Sequence, residues 1–522
     1  MQLGGTSIGV TVGGKTLSAP VLYTSSYQVA AVLPSAVPMG DGVLVLSNNG
    51  LAGYPQPIHV TRSAFGTFAV AQNGMGAGVI TDPDYQLKTF DSPARQGDVL
   101  ILWGTGLGPV DGDERAGPLP GNRFPDVAVY VGGAQAPIDY AGRSGCCAGL
   151  DQIVFRVPAS PQGCFVPVAV RYGGITSNFT TIPVSPPGQA CREAVGVSSD
   201  LLTKAASGGE LSVGVVAMGS IPLLHSVGFS FYRSFAEKLS QLLNVKVSEQ
   251  DLKLVATSRG STRAAQLRAA LAKYKPALQG KPRSTREVIR AVSALSDQGI
   301  AAGFSHLKGL KGITSIFGAM LPPPGACTVV REWYFSKNQW GANAQAREAG
   351  SSLLLAGPLG NRTIPRTAAG EYQLAFGTDL SYAQFPNGVY DVSGSGGRDV
   401  GAFHASLQVP GLQWTNKPDI VSVDRTHPLR ITWVGMPDPG YVLFGGVSSG
   451  SGVSSAFACV APGNALELTV PDYVLSAMPP TGGDRGSLFL AAHPFQNTFS
   501  APGIDVGYFT NLGSDSKDVV FR

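Results

Sequence analysis

Residues 97–110 read GDVLILWGTGLGPV, a short apolar run closed by glycines, and this pattern decides the fold class. Val99, Leu100, Ile101, Leu102 and Trp103 suit a pleated, half-buried surface. Gly104, Gly106, Gly108 and Pro109 then end the run as turn residues do. The same unit recurs on both sides. Upstream stand TSIGVTVGGKTL (6–17), QVAAVLP (28–34) and GVLVLSNNG (42–50). Downstream stand DVAVYVGG (126–133), QIVFRVP (152–158) and FVPVAVRYGG (165–174). Several of these runs alternate apolar and polar residues, as antiparallel strands with one wet face do. Gly-Gly or Asn-Gly follows many of them, which is hairpin chemistry. Short strands at regular spacing predict tandem immunoglobulin-like β-sandwiches.

Composition agrees. Only 14% of the 522 residues are charged, while Gly (68) and Pro (38) are plentiful. The 43% hydrophobic content argues against disorder, because it can offset the entropy lost on ordering the chain. The length suits several domains, each with its own core. Net charge is a modest +4, but residues 251–320 hold twelve Lys/Arg against three Asp/Glu. No run reaches the ~18 apolar residues that span a bilayer. The longest candidate, Gly214–Phe231, is broken by Ser220, Pro222, His225 and Ser226.

Four segments are expected. Residues 1–62 form an incomplete sandwich and 63–186 a second one. Composition shifts at 186–200 (PPGQACREAVG), and 200–322 reads as a basic, largely helical region. There Phe231, Phe235, Leu239 and Leu242 recur at helical spacing, and Ser284–Glu287 resembles a capping box. Two or three helices are predicted within 226–304, broken near Pro276 and Pro282. From 323 to 522 strands return, in VYDVSGSGG (389–397), IVSVDRTHPLRITWVG (420–435), GYVLFGGVSSG (440–450), ALELTVP (465–471) and SLFLAAHP (487–494).

One stretch carries a specific likeness. Asp91-Ser92-Pro93-Ala94, GDVLILWGTGLGPV, VYVGG, APIDYAGRSG, GLDQIVFRVP and VPVAVRYGGITSNFTTIPV follow in series, preceded by LGGTSIGVTVGGKTLSAPVLYTSSYQVAAVLPS (3–35). In this order, residues 1–185 resemble the "Solibacter uncharacterised C-terminal domain" module of secreted acidobacterial proteins. The resemblance implies tandem sandwiches of the IPT/TIG type and an extracellular or cell-surface location, and it assigns no activity. Members of that family enter the first sandwich through a PGSIVTIFG-like strand ahead of LGGTS. The resemblance therefore implies a first sandwich lacking one or two strands, with an exposed edge, and a leader peptide lost with them. Residues 327–522 show a looser likeness to a companion β-domain, through LQWTNKPDIVSVDRTHPLRITWVG and FSAPGIDVGYF.

Six cysteines in such a chain predict three disulfides. Cys327 with Cys459 is the simplest pair. Cys146, Cys147, Cys164 and Cys191 supply two more. On a strand, adjacent Cys146 and Cys147 point to opposite faces and need different partners. Cys147–Cys164 with Cys146–Cys191 is the expected set, and which cysteine takes which partner stays open. Zinc ligation is disfavoured, because no Cys-x-x-Cys spacing occurs. No metal or cofactor is expected.

Catalytic motifs are sparse. Gly446-Val447-Ser448-Ser449-Gly450 matches a nucleophile elbow in letters, but a Gly/Ser loop follows where a helix is needed. Gly104-Thr105-Gly106-Leu107-Gly108 reads as a strand-end turn rather than a dinucleotide loop. Asp424 and His427 fit an Asx-type turn better than a base with its orienter. Asp111, Asp113 and Glu114 read as solvated loop charge rather than a calcium site. Trp333, Tyr334, Trp340, Trp414 and Trp433 read as core rather than a sugar platform. The basic helices read as a solvated face, with polyanion binding as the alternative. The expectation is thus a non-catalytic structural or adhesin-like interaction protein. The alternative is a carbohydrate-binding module or an accessory of a secreted glycan-degrading system. Its partners are unknown, a glycan or another surface protein being candidates, and neither nucleic acid nor a transmembrane segment is expected.

Overall fold

A computed structural model describes residues 2–114, 117–193, 197–220, 298–308, 321–331, 345–376, 385–450, 453–481, 486–492, 497–512 and 515–522, with isolated positions between 224 and 273. The fold is mainly β with a small helical element, as predicted. The chain divides into two compact units, residues 1–160 with 166–189, and 161–165 with 190–522.

The first unit holds two strand systems. In the N-terminal one, Thr6–Val12 pairs antiparallel with Lys15–Ala19 and with Gly40–Asn48. Gly13 and Gly14 both have positive φ, which the two-residue hairpin turn between Val12 and Lys15 requires. Alternate residues Thr6, Ile8, Val10 and Val12 are buried, so the period-two pattern points one face inward. The cover is uneven across the sheet. Its buried core is Ile8, Val10, Val12, Ala19, Val21 and Val37, while Leu44, Leu46, Ile58 and Val60 stay only partly buried.

The second system is a complete sandwich. One sheet runs Ile138–Arg143, Asp151–Arg156, Val99–Thr105 and Gly66–Thr67, with Ile80–Thr81 beside Val99–Thr105. The other runs Ala134–Ala136, Ala128–Val131, Gly163–Tyr172 and Ile175–Thr176, with Thr180–Val184 beside Gly163–Tyr172. Leu100, Leu102, Ile153 and Phe155 from the first sheet share a core with Val129, Val131, Val166, Val168 and Val170 from the second. Each such side chain, fully buried, contributes roughly 1.5–3 kcal/mol.

In the second unit a ten-stranded sheet carries the largest core. Its central strands are Glu210–Ser220 and Gln298–Lys308, antiparallel from Glu210↔Lys308 to Ser220↔Gln298. Glu210–Ser220 also pairs parallel with Val506–Leu512, and Gln298–Lys308 with Glu371–Ala375. The sheet curls until its ends meet. Phe403, on one edge strand, stacks on Phe499 of the other with ring centroids 5.0 Å apart. A six-stranded sheet, centred on Tyr441–Gly450 and Gly486–Ala492, and a three-stranded one complete the unit.

Strands on either side of the expected 322/323 boundary join one sheet. The region expected to be largely helical supplies the helix Ser199–Ala206, capped by Ser198, helical positions such as Ala236, Glu237, Asp251 and Leu252, and two long strands. Gln298–Lys308 lies partly within the predicted helices yet is a strand. Its Ala and Gly residues carry little strand propensity, and pairing on both edges overrides it. The helices expected at 226–297 fall almost wholly outside the described residues. Among the described residues, no helix is long and apolar enough to cross a membrane.

Candidate functional site

All six cysteines are paired. Cys327 lies directly opposite Cys459 on neighbouring strands, and the expected bond forms. The other two bonds differ from expectation. Cys146 is bonded to Cys147, and Cys164 to Cys191. The opposite-faces rule holds only on a strand. Residues 144–150 are a turn between the Ile138–Arg143 and Asp151–Arg156 strands, so neighbouring side chains can converge.

That turn is anchored on a buried charge cluster. Arg143 Nε donates to Glu114 Oε1 at 2.9 Å and Nη2 donates to Glu114 Oε2 at 3.2 Å. Arg143 Nη1 donates to Asp151 Oδ1, and Nη2 also donates to the Gly108 carbonyl at 3.0 Å. The Gly149 amide donates to Glu114 Oε1 at 2.8 Å, and the Leu107 amide to Asp151 Oδ2 at 2.8 Å. Burial disfavours the guanidinium, but the two carboxylates outweigh it and hold the Arg143 pKa above its ordinary value. The acidic loop is therefore not merely solvated charge, because Glu114 faces inward as a counter-ion while Asp111 is exposed. Sequence reasoning missed this cluster, since Arg143, Glu114 and Asp151 meet only when 105–114 folds over 143–151.

The other motifs resolve individually. Ser448 is fully buried within the Tyr441–Gly450 strand and donates to the Pro479 carbonyl at 2.6 Å, so it stands on no strand-to-helix elbow. Gly104 lies within the Val99–Thr105 strand, paired with Asp151 and Thr67, and Gly106 turns the chain after it with positive φ. Asp424 accepts from the Thr426 amide at 2.8 Å in an Asx-type turn, and its Oδ2 lies 2.8 Å from His427 Nδ1. The Thr426 hydroxyl and amide hold the Asp424 pKa down to about 2. Trp414 and Trp433 are core residues, with indole N–H groups satisfied by Asn416 and the Gly463 carbonyl. Trp333, Tyr334 and Trp340 lie outside the described residues, as does most of the basic region. Among the described residues no cluster of His, Cys, Asp and Glu could hold a metal ion.

One polar set in the second unit invites a catalytic reading. Ser212 Oγ lies 2.9 Å from His306 Nδ1, and Glu210 Oε2 lies 3.0 Å from His306 Nε2. Ser212 and His306 face each other across paired strands. Arg347 Nη2 stands 3.2 Å from the same Nδ1 and can only donate. These partners make Nε2 the protonated nitrogen, donating to Glu210. The Nδ1 lone pair, which would have to accept the Ser212 proton, is already engaged by the guanidinium. Ser212 itself is only 6% exposed.

The surface most suited to a partner lies on the N-terminal sheet. Tyr27 is 85% exposed, Tyr54 90% and Leu51 79%. Tyr23 and Leu3 are exposed as well. Local pairing brings Leu3, the Tyr23–Tyr27 segment and Leu51 to the Thr6 end of the sheet, while Tyr54 lies further along, in the link to Gln56–Val60. Thr24 Oγ1 lies 3.2 Å from Thr6 Oγ1, and Asn48 Nδ2 donates to the same Thr6 atom at 3.0 Å. Leu3 bridges to Thr6, and Leu51 pairs with Asn48. No composition signal separates these tyrosines from core aromatics; Tyr27 sits in the turn between Val21–Thr24 and Val29–Ala31, and Tyr54 in the link between Leu51–Ala52 and Gln56–Val60, where no second layer covers them.

No family model and no curated protein matches the chain. Among solved structures it is similar to the surface layer protein SbsC, domains 4-9, at 10% identity, over 97% of this chain and 76% of that one. The TM-score is 0.14, and the likeness carries no argument about fold or function.

Proposed function

We propose that this chain is an extracellular or cell-surface interaction protein, a rigid β scaffold that presents a binding surface and has no serine-based catalytic centre. The observation that carries this reading is the set of large apolar side chains that the N-terminal strand system leaves in solvent, Tyr27, Tyr54 and Leu51. Several large apolar side chains left in solvent on one strand system favour an interaction role. Full pairing of the cysteines supports an oxidising compartment. The likeness of residues 1–185 to secreted acidobacterial modules supports the same location.

The non-catalytic part rests on Ser212 and Ser448. The first is shielded and its imidazole is engaged by Arg347; the second is buried against Pro479. A fluorophosphonate probe should label neither. Labelling at Ser212 that Ser212→Ala abolishes would overturn it.

A second reading, carbohydrate binding, is favoured by the same tyrosines, because sugar rings stack on exposed aromatic faces while nearby hydroxyl and amide groups bond their hydroxyls. Glycan-array screening separates the two. Binding that Tyr27→Ala/Tyr54→Ala removes supports the glycan reading, and a blank array at millimolar ligand leaves a protein partner.

A further inference from the structure

The three disulfides differ in what they can do for the fold. Cross-links stabilise by shortening the unfolded chain's loops, and the effect grows with loop length. Cys327–Cys459 spans 132 residues and Cys164–Cys191 spans 27. Cys146–Cys147 joins neighbours and encloses a single peptide bond. It removes almost no conformational freedom from the unfolded chain and cannot act as a staple.

Its setting differs too. Cys164, Cys191, Cys327 and Cys459 are all buried. Gly145, Cys146 and Cys147 are all exposed. The turn that carries them is held from below. The Ser144 amide donates to the Leu150 carbonyl at 2.9 Å, and the Cys146 amide to Ser144 Oγ at 3.2 Å. Thr105 Oγ1 donates to the Gly149 carbonyl at 2.7 Å, and the Gly149 amide is bonded to Glu114. Arg143 and Asp151, at the two feet of the turn, are joined by a buried ion pair. The ring therefore stands on a rigid base, with its sulfurs reachable by an incoming thiolate.

We propose that Cys146–Cys147 is a thiol–disulfide exchange site whose substrates are external dithiols. A thiolate of the dithiol attacks one cysteine sulfur, the ring S–S bond breaks, and the released cysteine thiolate takes up a proton. The second thiol of the dithiol, as its thiolate, then displaces the remaining cysteine from the mixed disulfide, and that cysteine is protonated in turn. Two electrons and two protons pass to Cys146 and Cys147, and the dithiol leaves as a disulfide. Access to the sulfurs governs such exchange, and here it separates one bond from the other two.

The test uses the full chain under native conditions. The protein is titrated with dithiothreitol, quenched with N-ethylmaleimide and mapped by peptide mass spectrometry. Cys146 and Cys147 should be alkylated together at roughly tenfold lower dithiothreitol than the other four cysteines. The Cys146→Ser/Cys147→Ser variant should keep the melting temperature of the parent and lose the low-concentration step. Alkylation of Cys146 and Cys147 before any reductant is added would overturn the proposal. So would reduction of all three bonds in a single step, or resistance of Cys146–Cys147 after the buried pairs have opened.

Discussion

The two strand systems of the first unit are written in the same vocabulary and end in different states. Thr6–Val12 and Val99–Thr105 are both seven-residue strands beside antiparallel neighbours. Around Val99–Thr105 a second sheet closes the core, and Leu100, Leu102, Ile153 and Phe155 lose all contact with water. Around Thr6–Val12 the cover is a short hairpin, Val21–Thr24 with Val29–Ala31, and Leu44, Leu46 and Ile58 remain partly wet. Strand formation is thus not what separates the two systems. Coverage is. The system with a complete second layer buries its core fully, and the thinly covered one leaves the apolar side chains on which the proposed binding surface rests in solvent.

Truncating equivalent apolar side chains tests this most strongly. Phe155→Ala should cost about 4 kcal/mol in urea unfolding, the usual range for a fully buried phenylalanine. Ile58→Ala, in the N-terminal sheet, should cost about 1 kcal/mol, since only partly buried methyls are removed. Equal losses would break the comparison.

Charge sharpens it. Arg143→Met should cost about 3 kcal/mol, because Glu114 and Asp151 are left buried without their cation. The N-terminal sheet carries its His59–Asp41 pair in the open, at 2.7 Å. Removing His59 should change stability by less than about 0.5 kcal/mol.

Glu193, in the second unit, extends the contrast to a buried acid without a cation among its described partners. Its Oε1 accepts the amides of Cys164 and Phe165, the latter at 2.9 Å. Burial pushes its pKa from 4.5 up to about 8 despite those amides. Between those values the folded chain binds more protons than the unfolded chain, so this contribution to stability falls as pH rises. Relative to Glu193→Gln, the parent should lose about 2 kcal/mol between pH 5.5 and 7 in chemical unfolding. A pH-independent difference would show that Glu193 is ionised throughout.

The smallest expected effect on stability carries the functional claim. Tyr27→Ala/Tyr54→Ala should leave unfolding within about 0.5 kcal/mol of the parent, because both rings are exposed. The same variant should lose binding to whatever partner the parent captures. A clear loss of stability would instead make the tyrosines part of the core.

Legibility from sequence followed the range of the interactions involved. Val12-Gly13-Gly14-Lys15 and Val131-Gly132-Gly133-Ala134 were readable as hairpins because strand, turn and strand are contiguous. The Cys327–Cys459 pair was readable because only two cysteines fall in that part of the chain. The Cys146–Cys147 bond was not, because it depends on residues 144–150 being a turn rather than a strand. Gln298–Lys308 was misread as partly helical, since its partners stand nearly ninety residues upstream and about seventy downstream.

What the amino-acid order determined by itself is therefore local: period-two burial, glycine turns, a mainly β chain and a cysteine content suited to oxidation. Tertiary structure alone decided which faces were covered, which acid met Arg143, and which tyrosines stayed in water. The physical reason is that strand propensity and turn geometry act between residues a few positions apart. Burial and charge pairing depend on what another sheet or loop brings from far along the chain.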